Sequence, residues 1–110
     1  MKDLVIVGAG GFGRETALMV EQLHLWNLIG FYDDSLEPGT VVEGKPVMGK
    51  VSFLNENHSE VAVVIAIADP STRQRIALSL TNKKLSFPTV VHPTALAGHS
   101  CNSFGKGCII

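Results

Sequence analysis

The sequence predicts an α/β protein: a small Rossmann-like parallel sheet with flanking helices, followed by the truncated start of a left-handed parallel β-helix. Three observations carry this reading. An apolar run ends in a glycine-rich turn that opens a helix, Leu4-Val5-Ile6-Val7-Gly8-Ala9-Gly10-Gly11-Phe12-Gly13. A second run, Val61-Ala62-Val63-Val64-Ile65-Ala66-Ile67, is dominated by β-branched side chains and marks the centre of a sheet. From about Thr89 both patterns give way to small residues and recurrent apolar-glycine pairs.

Taken in order, residues 3–8 are almost continuously apolar, as in a parallel strand covered on both faces. Residues 12–25 set Phe12, Ala17, Met19, Val20 and Leu23 within a helical period. Residues 28–32 form a second short strand that ends at Asp33-Asp34. Residues 35–40 carry turn chemistry, because Pro38 fixes one dihedral and Gly39 tolerates another. Residues 44–49 read as irregular, and 51–55 as a short helix.

After the central strand at 61–67, Asp69-Pro70-Ser71-Thr72 begins a helix expected to reach Lys83 or Lys84. Ile76, Ala77 and Leu80 would face inward, with Arg73 and Gln74 toward water and the lysines at the negative end of the dipole. Residues 87–91 make the last strand. Three or four parallel strands joined by helices follow, with right-handed crossovers.

The domain boundary falls after residue 88. Residues 1–88 form the Rossmann-like domain, and 89–110 the linker and first hexapeptide coils, incomplete. The apolar-glycine pair recurs at Ala97-Gly98 and Phe104-Gly105, and Phe104 to Ile110 is the six-residue step of such a coil. The step from Ala97 to Phe104 is seven, so that turn is expected to bulge. Such repeats bury their apolar face only when about three or more are stacked.

Composition excludes several classes. With 110 residues, 45% of them apolar, the chain can fill one core. Nine basic and ten acidic residues, without a block of like charge, leave no electrostatic footprint for nucleic acid. No apolar stretch approaches the roughly twenty residues that cross a membrane. Met1-Lys2-Asp3 enters a strand at once, which leaves no room for a signal peptide and implies a cytoplasmic protein. Cys101 and Cys108 read as buried thiols of a reducing compartment, and with His92 and His99 they match no standard zinc spacing, so no metal is expected.

Gly8, Gly10 and Gly13 fit G-x-G-x-x-G between a strand and a helix. The first permits a tight turn, the second lets a phosphate approach the backbone, and the third lets the helix pack closely. The helix start then offers amide donors and a positive dipole end to an anion. Asp33-Asp34 stands about twenty residues further on, where a carboxylate accepts both hydroxyls of a ribose and disfavours an additional phosphate. A structural turn and an acidic strand exit are the bland alternatives. Ala66, Ile67, Ala68 and Asp69 end the central strand where ligands lie, with Asp69 foremost a helix cap. Arg14, Lys45 and Arg73 are candidate cations for a diphosphate or sugar carboxylate. No nucleophile and base pair assembles in residues 1–88, so no catalytic residue is assigned.

Together these segments resemble the NeuD/PglD-like family of sialic-acid O-acetyltransferases and bacterial sugar N-acetyltransferases. The matching elements run from Leu4 through Gly13-Arg14-Glu15, Gly30-Phe31-Tyr32-Asp33-Asp34 and Gly44-Lys45-Pro46-Val47-Met48-Gly49 to Ala66-Ile67-Ala68-Asp69-Pro70 and His92-Pro93-Thr94-Ala95. The resemblance implies a Rossmann-like domain that holds a nucleotide-linked amino sugar or sialic acid, and a β-helix that forms a homotrimer with acetyl-CoA between subunits. It puts Gly8, Gly10, Gly11, Phe12 and Gly13 near the substrate, Asp33 and Asp34 on its nucleoside part, and Lys45 with Ala66 to Asp69 along the remainder.

The family's general base is a histidine on a later coil, beyond Ile110, so this chain alone is expected to be inert. Phe12 stands where many members carry histidine, and Ala68 where glycine is usual. From the glycine loop and acidic pair alone, a NAD-binding domain of an oxidoreductase or regulator is the alternative. A regulatory or assembly domain with a vestigial pocket is the third.

Overall fold

The fold was analysed in a computed structural model, which describes residues 1–88. The expected hexapeptide coils, with His92, His99, Cys101 and Cys108, lie outside the described residues.

Among the described residues six strands form one sheet in the order β3-β4-β2-β1-β5-β6. They are β1 (Lys2–Val7), β2 (Trp26–Tyr32), β3 (Val41–Val42), β4 (Lys45–Gly49), β5 (Val61–Ile65) and β6 (Leu85–Ser86). Neighbours pair in parallel from β4 to β6, and β3 runs antiparallel to β4 at the edge. The parallel count is therefore five rather than three or four. The extra strand comes from 44–49, where a tight hairpin replaces the expected irregular segment. Glu43 and Gly44 both take positive φ, at 49° and 76°, the pair of left-handed conformations a two-residue hairpin turn requires.

Strand alternation divides the core. Leu4 and Ile6 of β1, with Ala62, Val64 and Ala66 on the β5 line, pack with Ala17 and Val20 of α1 (Gly11–Leu23). Val5, Val7, Val61, Val63 and Ile65 face the other way, against Leu54, Leu80 and the half-buried Ile76 and Ala77. Every residue of β5 is buried, which is why its sequence shows no polar alternation.

The second helix, α2 (Pro70–Ser79), ends earlier than expected. Leu80 leaves the helical path to bury itself, and the side chain of Asn82 captures the carbonyls of Leu54 and Asn57 at 3.0 and 2.9 Å. Among the described residues the last strand is Leu85–Ser86, and most of the expected strand at 87–91 lies outside them. Pro88 has no N–H to donate to a ladder.

Candidate functional site

A cavity of about 760 Å³ opens at the carboxyl ends of the central strands. Its floor is the end of β1 with Gly8, Gly10, Gly11 and Phe12, and the end of the β5 line at Ala66 and Ile67. One wall is Tyr32, Asp33, Asp34 and Ser35 with Val51, Ser52 and Asn55 of the 3-10 helix Val51–Glu56. The opposite wall is α2, through Thr72, Arg75, Ile76 and Ser79. Chain order makes this position special. The chain moves from β1 to β2 on one side and later returns to β5 on the other, so the crevice between β1 and β5 is a topological switch point.

The glycines of the loop do different work. Gly8 has φ of 100°, and a Cβ there would lie 2.8 Å from the Ala66 carbonyl oxygen. Gly13 is sealed against Gly8, where a Cβ would sit 1.9 Å from its carbonyl oxygen. Around Gly10 and Gly11 a Cβ would meet nothing within 4 Å, so their backbone is open to the cavity. No side chain caps α1 and no acidic residue occupies its first turn, which leaves the positive end of its dipole at the cavity floor.

The two aspartates after β2 tie the loop and wall together. Asp33 Oδ2 accepts from the Ala9 amide at 2.9 Å, and Oδ1 accepts from the Ser35 amide at 2.8 Å and its hydroxyl at 2.6 Å. Burial pushes the Asp33 carboxyl upward, and the hydrogen bonds from Ser35 and Ala9 outweigh it, leaving it below its ordinary value. Asp34 Oδ1 accepts from the Val51 amide at 2.8 Å and so fixes the start of the 3-10 helix. Burial raises the Tyr32 hydroxyl above its ordinary range.

Of the residues singled out from sequence, Gly8, Gly10, Gly11, Phe12, Asp33, Asp34, Ala66 and Ile67 meet at this cavity. Gly13, Ala68, Asp69 and Lys45 do not line it. Gly13 is buried behind the loop, and Ala68 is exposed. Asp69 caps α2, accepting from the Thr72 amide at 3.0 Å and hydroxyl at 2.6 Å. Those bonds to Thr72, with Arg75 nearby, hold its carboxyl below the ordinary range. Lys45 lies at the other end of the sheet, beside Glu21, His24 and Trp26. It is the first residue of β4, and β4 runs parallel to β2, so only the far end of that strand approaches the site.

Among the described residues the lining cation is Arg75, not Arg14, Lys45 or Arg73. Sequence reasoning also missed Ser35, Val51, Ser52, Asn55, Thr72, Ile76 and Ser79. Positions 72, 75, 76 and 79 share the i, i+3, i+4, i+7 spacing of one helix face, a signal present in the sequence. Among the described residues no group of three or more His, Cys, Asp or Glu side chains could hold a metal, and no helix is long and apolar enough to cross a membrane.

Fold and cavity together define a Rossmann-like α/β domain with a crevice at its switch point. Residues 3–80 match the PglD N-terminal domain, and the chain belongs to that family. Among solved structures it is similar to the acetyltransferase domain of PglB from Neisseria gonorrhoeae, determined in complex with acetyl coenzyme A. The identity is 26%, over 84% of this chain and 44% of that one, with a TM-score of 0.71. It also shares its fold with perosamine N-acetyltransferase from Caulobacter crescentus, determined with CoA and GDP-perosamine. There the identity is 23%, over 87% of this chain and 45% of that one, with a TM-score of 0.70. The chain thus spans less than half the length of these proteins. No curated protein matches it.

Proposed function

We propose that this chain is the acceptor-binding part of an acetyl-CoA-dependent sugar acetyltransferase, and that its cavity holds a nucleotide-linked amino sugar or sialic acid. The observation that carries the reading is the roughly 760 Å³ cavity at the switch point in a chain of the PglD N-terminal domain family. The volume suits a sugar nucleotide. Open backbone at Gly10 and Gly11 and the cation Arg75 suit its phosphates, while Phe12 and Ile67 offer apolar surface to the base.

In this reading residues 1–88 present the acceptor and residues from 89 onward begin a hexapeptide β-helix, assembled as a homotrimer that binds acetyl-CoA. The acceptor amine or hydroxyl attacks the thioester carbonyl, its proton passes to a histidine base on that β-helix, and CoA leaves as the thiol. The residues of this domain bind and orient; none takes the proton.

The test is a backbone-amide NMR titration with UDP, a UDP-linked amino sugar, GDP-perosamine, CMP-sialic acid and NAD in parallel. Shifts at Gly8, Gly10, Gly11 and Asp34 with a sugar nucleotide, and weak or no response to NAD, support the reading. A selective response to NAD overturns it in favour of an oxidoreductase or regulatory domain.

A further inference from the structure

We propose that the sheet carries a second binding site, for a small apolar amine, and that its occupancy tightens the acceptor cavity through the 3-10 helix Val51–Glu56. The site stands on its own geometry, and only its effect on the acceptor cavity rests on the function proposed above.

A cavity of about 170 Å³ lies on the face of the sheet that carries Val5, Leu54 and Val61. It opens toward the amino ends of β1 and β5, at Asp3 and Val61, whereas the acceptor cavity lies at their carboxyl ends. The lining is apolar at Val5, Ile29, Leu54 and Val61, with Met48 at its flank. Met48 lies over Gly30, where a Cβ would come within 2.8 Å of its sulfur, and a thioether side chain adapts to what is placed beside it. An apolar cavity of about 150 Å³ takes a benzene ring, so a single ring fits here and a sugar nucleotide does not.

The rim selects the head group. Among the described residues it carries Asp3 and Glu60 and no lysine, arginine or histidine. Asp3 Oδ1 accepts from Asn27 Nδ2 at 3.0 Å, and its Oδ2 accepts from no described residue. Glu60 is exposed, and its side chain bonds to no described residue. The amide nitrogen of Asn57 is spent on the Ser59 carbonyl at 2.6 Å, which leaves its oxygen turned over to acceptance as well. A ligand that satisfies these groups brings donors and positive charge, as an ammonium does.

Tyr32 points to a ligand independently of the carboxylates. It is 7% exposed and lines both cavities. Its hydroxyl bonds to no described residue, and no sealed side-chain polar atom among them lacks a partner, so this hydroxyl borders open space. Burial raises it above its ordinary range, so it stays protonated at neutral pH and keeps a donor and an acceptor unspent.

The two cavities share a wall. Val51, Ser52 and Asn55 of the 3-10 helix line the acceptor cavity, Leu54 lines the second, and Tyr32 stands in both linings. A ligand packed against Leu54 and Tyr32 holds this wall in place, and a nucleotide then meets a surface already ordered.

The probe is benzylamine, with benzoate, of similar size and opposite charge, as its control, followed by methyl and amide NMR of the whole chain. Benzylamine should shift the Ile29 and Met48 methyls and the Asn57 and Glu60 amides while the Gly10 and Gly11 amides stay in place, and benzoate should bind at least about tenfold more weakly. Asp3→Asn and Glu60→Gln should each weaken benzylamine about threefold, the scale of an exposed ion pair, and leave UDP affinity in its absence unchanged. With benzylamine saturating, UDP should bind about fivefold tighter. No shift on that face, benzoate binding as strongly as benzylamine, or shifts centred on Gly10 and Gly11 would overturn the site, and an unchanged UDP affinity would overturn the coupling. If UDP binds nowhere while benzylamine shifts its expected residues, the proposed function fails and the second site stands.

Discussion

Gly13 lies with its backbone pressed on Gly8, so close that a Cβ on Gly13 would stand 1.9 Å from the Gly8 carbonyl oxygen. The obstacle is backbone on both sides and cannot rotate away. Gly13→Ala must push α1 off the end of β1, at a cost of about 3 kcal/mol, the upper part of the range for overpacking. Gly11→Ala meets open space and should change stability by no more than about 0.5 kcal/mol. Its new methyl group would project at the cavity, so sugar-nucleotide affinity should fall instead. Urea denaturation and ligand titration of the two variants separate these effects, and equal unfolding midpoints would refute the packing argument.

The two walls of the cavity are joined by a pair of asparagines. Asn55 donates to the Ser79 carbonyl at 2.9 Å and accepts from the Thr81 and Asn82 amides at 2.9 and 3.2 Å. Asn82 reaches back to the carbonyls of Leu54 and Asn57. Either asparagine changed to alanine should cost about 1–2 kcal/mol by leaving backbone groups unpaired. Because both serve one junction, the double variant should lose less than the sum. A strictly additive double-mutant cycle would show that the 3-10 helix and the end of α2 are held independently.

Much of the sheet was legible because burial on both faces of β1 and β5 leaves an unbroken apolar run. The β3-β4 hairpin was not. Its turn is Glu43-Gly44, without the usual Asn or Asp at the first position, and Pro46 inside β4 argues against a strand by composition. The end of α2 was hidden for a different reason. Thr81 to Lys84 continue a plausible helical pattern, and only the distant Asn55 and the carbonyls of Leu54 and Asn57 divert them. The floor of the site was readable from local motifs. The α2 wall required knowing which helix face turns toward β1, and Lys45 was misplaced because strand direction, not proximity in a motif, sets which end it occupies.

Acid should unfold the protein partly through Asp33. Its folded carboxyl is held below the ordinary 3.8, so the unfolded chain takes up the proton first as pH falls. The stabilisation is therefore present above about pH 4 and is lost as pH drops through the folded value. Asp33→Asn should lower the unfolding midpoint near pH 7 and flatten its decline as pH falls below about 4. Tyr32 acts at the other extreme. Burial raises its hydroxyl above 10.0, so its contribution is intact below that value and lost as pH rises from there through the folded value. Tyr32→Phe should flatten the alkaline limb alone, and chemical denaturation across pH reads both.

Among the described residues lining the cavity Arg75 is the one cation, and Thr72, Ile76 and Ser79 share its helix face. If the cavity takes a diphosphate, Arg75→Gln should weaken UDP or GDP binding by about tenfold, the lower end for a lost charge-assisted bond. Uridine and guanosine, which lack phosphate, should bind the variant as they bind the wild type. The difference should shrink in high salt, since an exposed cation is screened. Arg14→Gln and Lys45→Gln provide the controls, because neither side chain lines this cavity. Calorimetric titration of the three variants with nucleoside and nucleoside diphosphate makes the comparison. An Arg75→Gln variant that binds the diphosphate at full strength would leave the open backbone at Gly10 and Gly11 as the phosphate site and return Arg75 to the solvated face of α2.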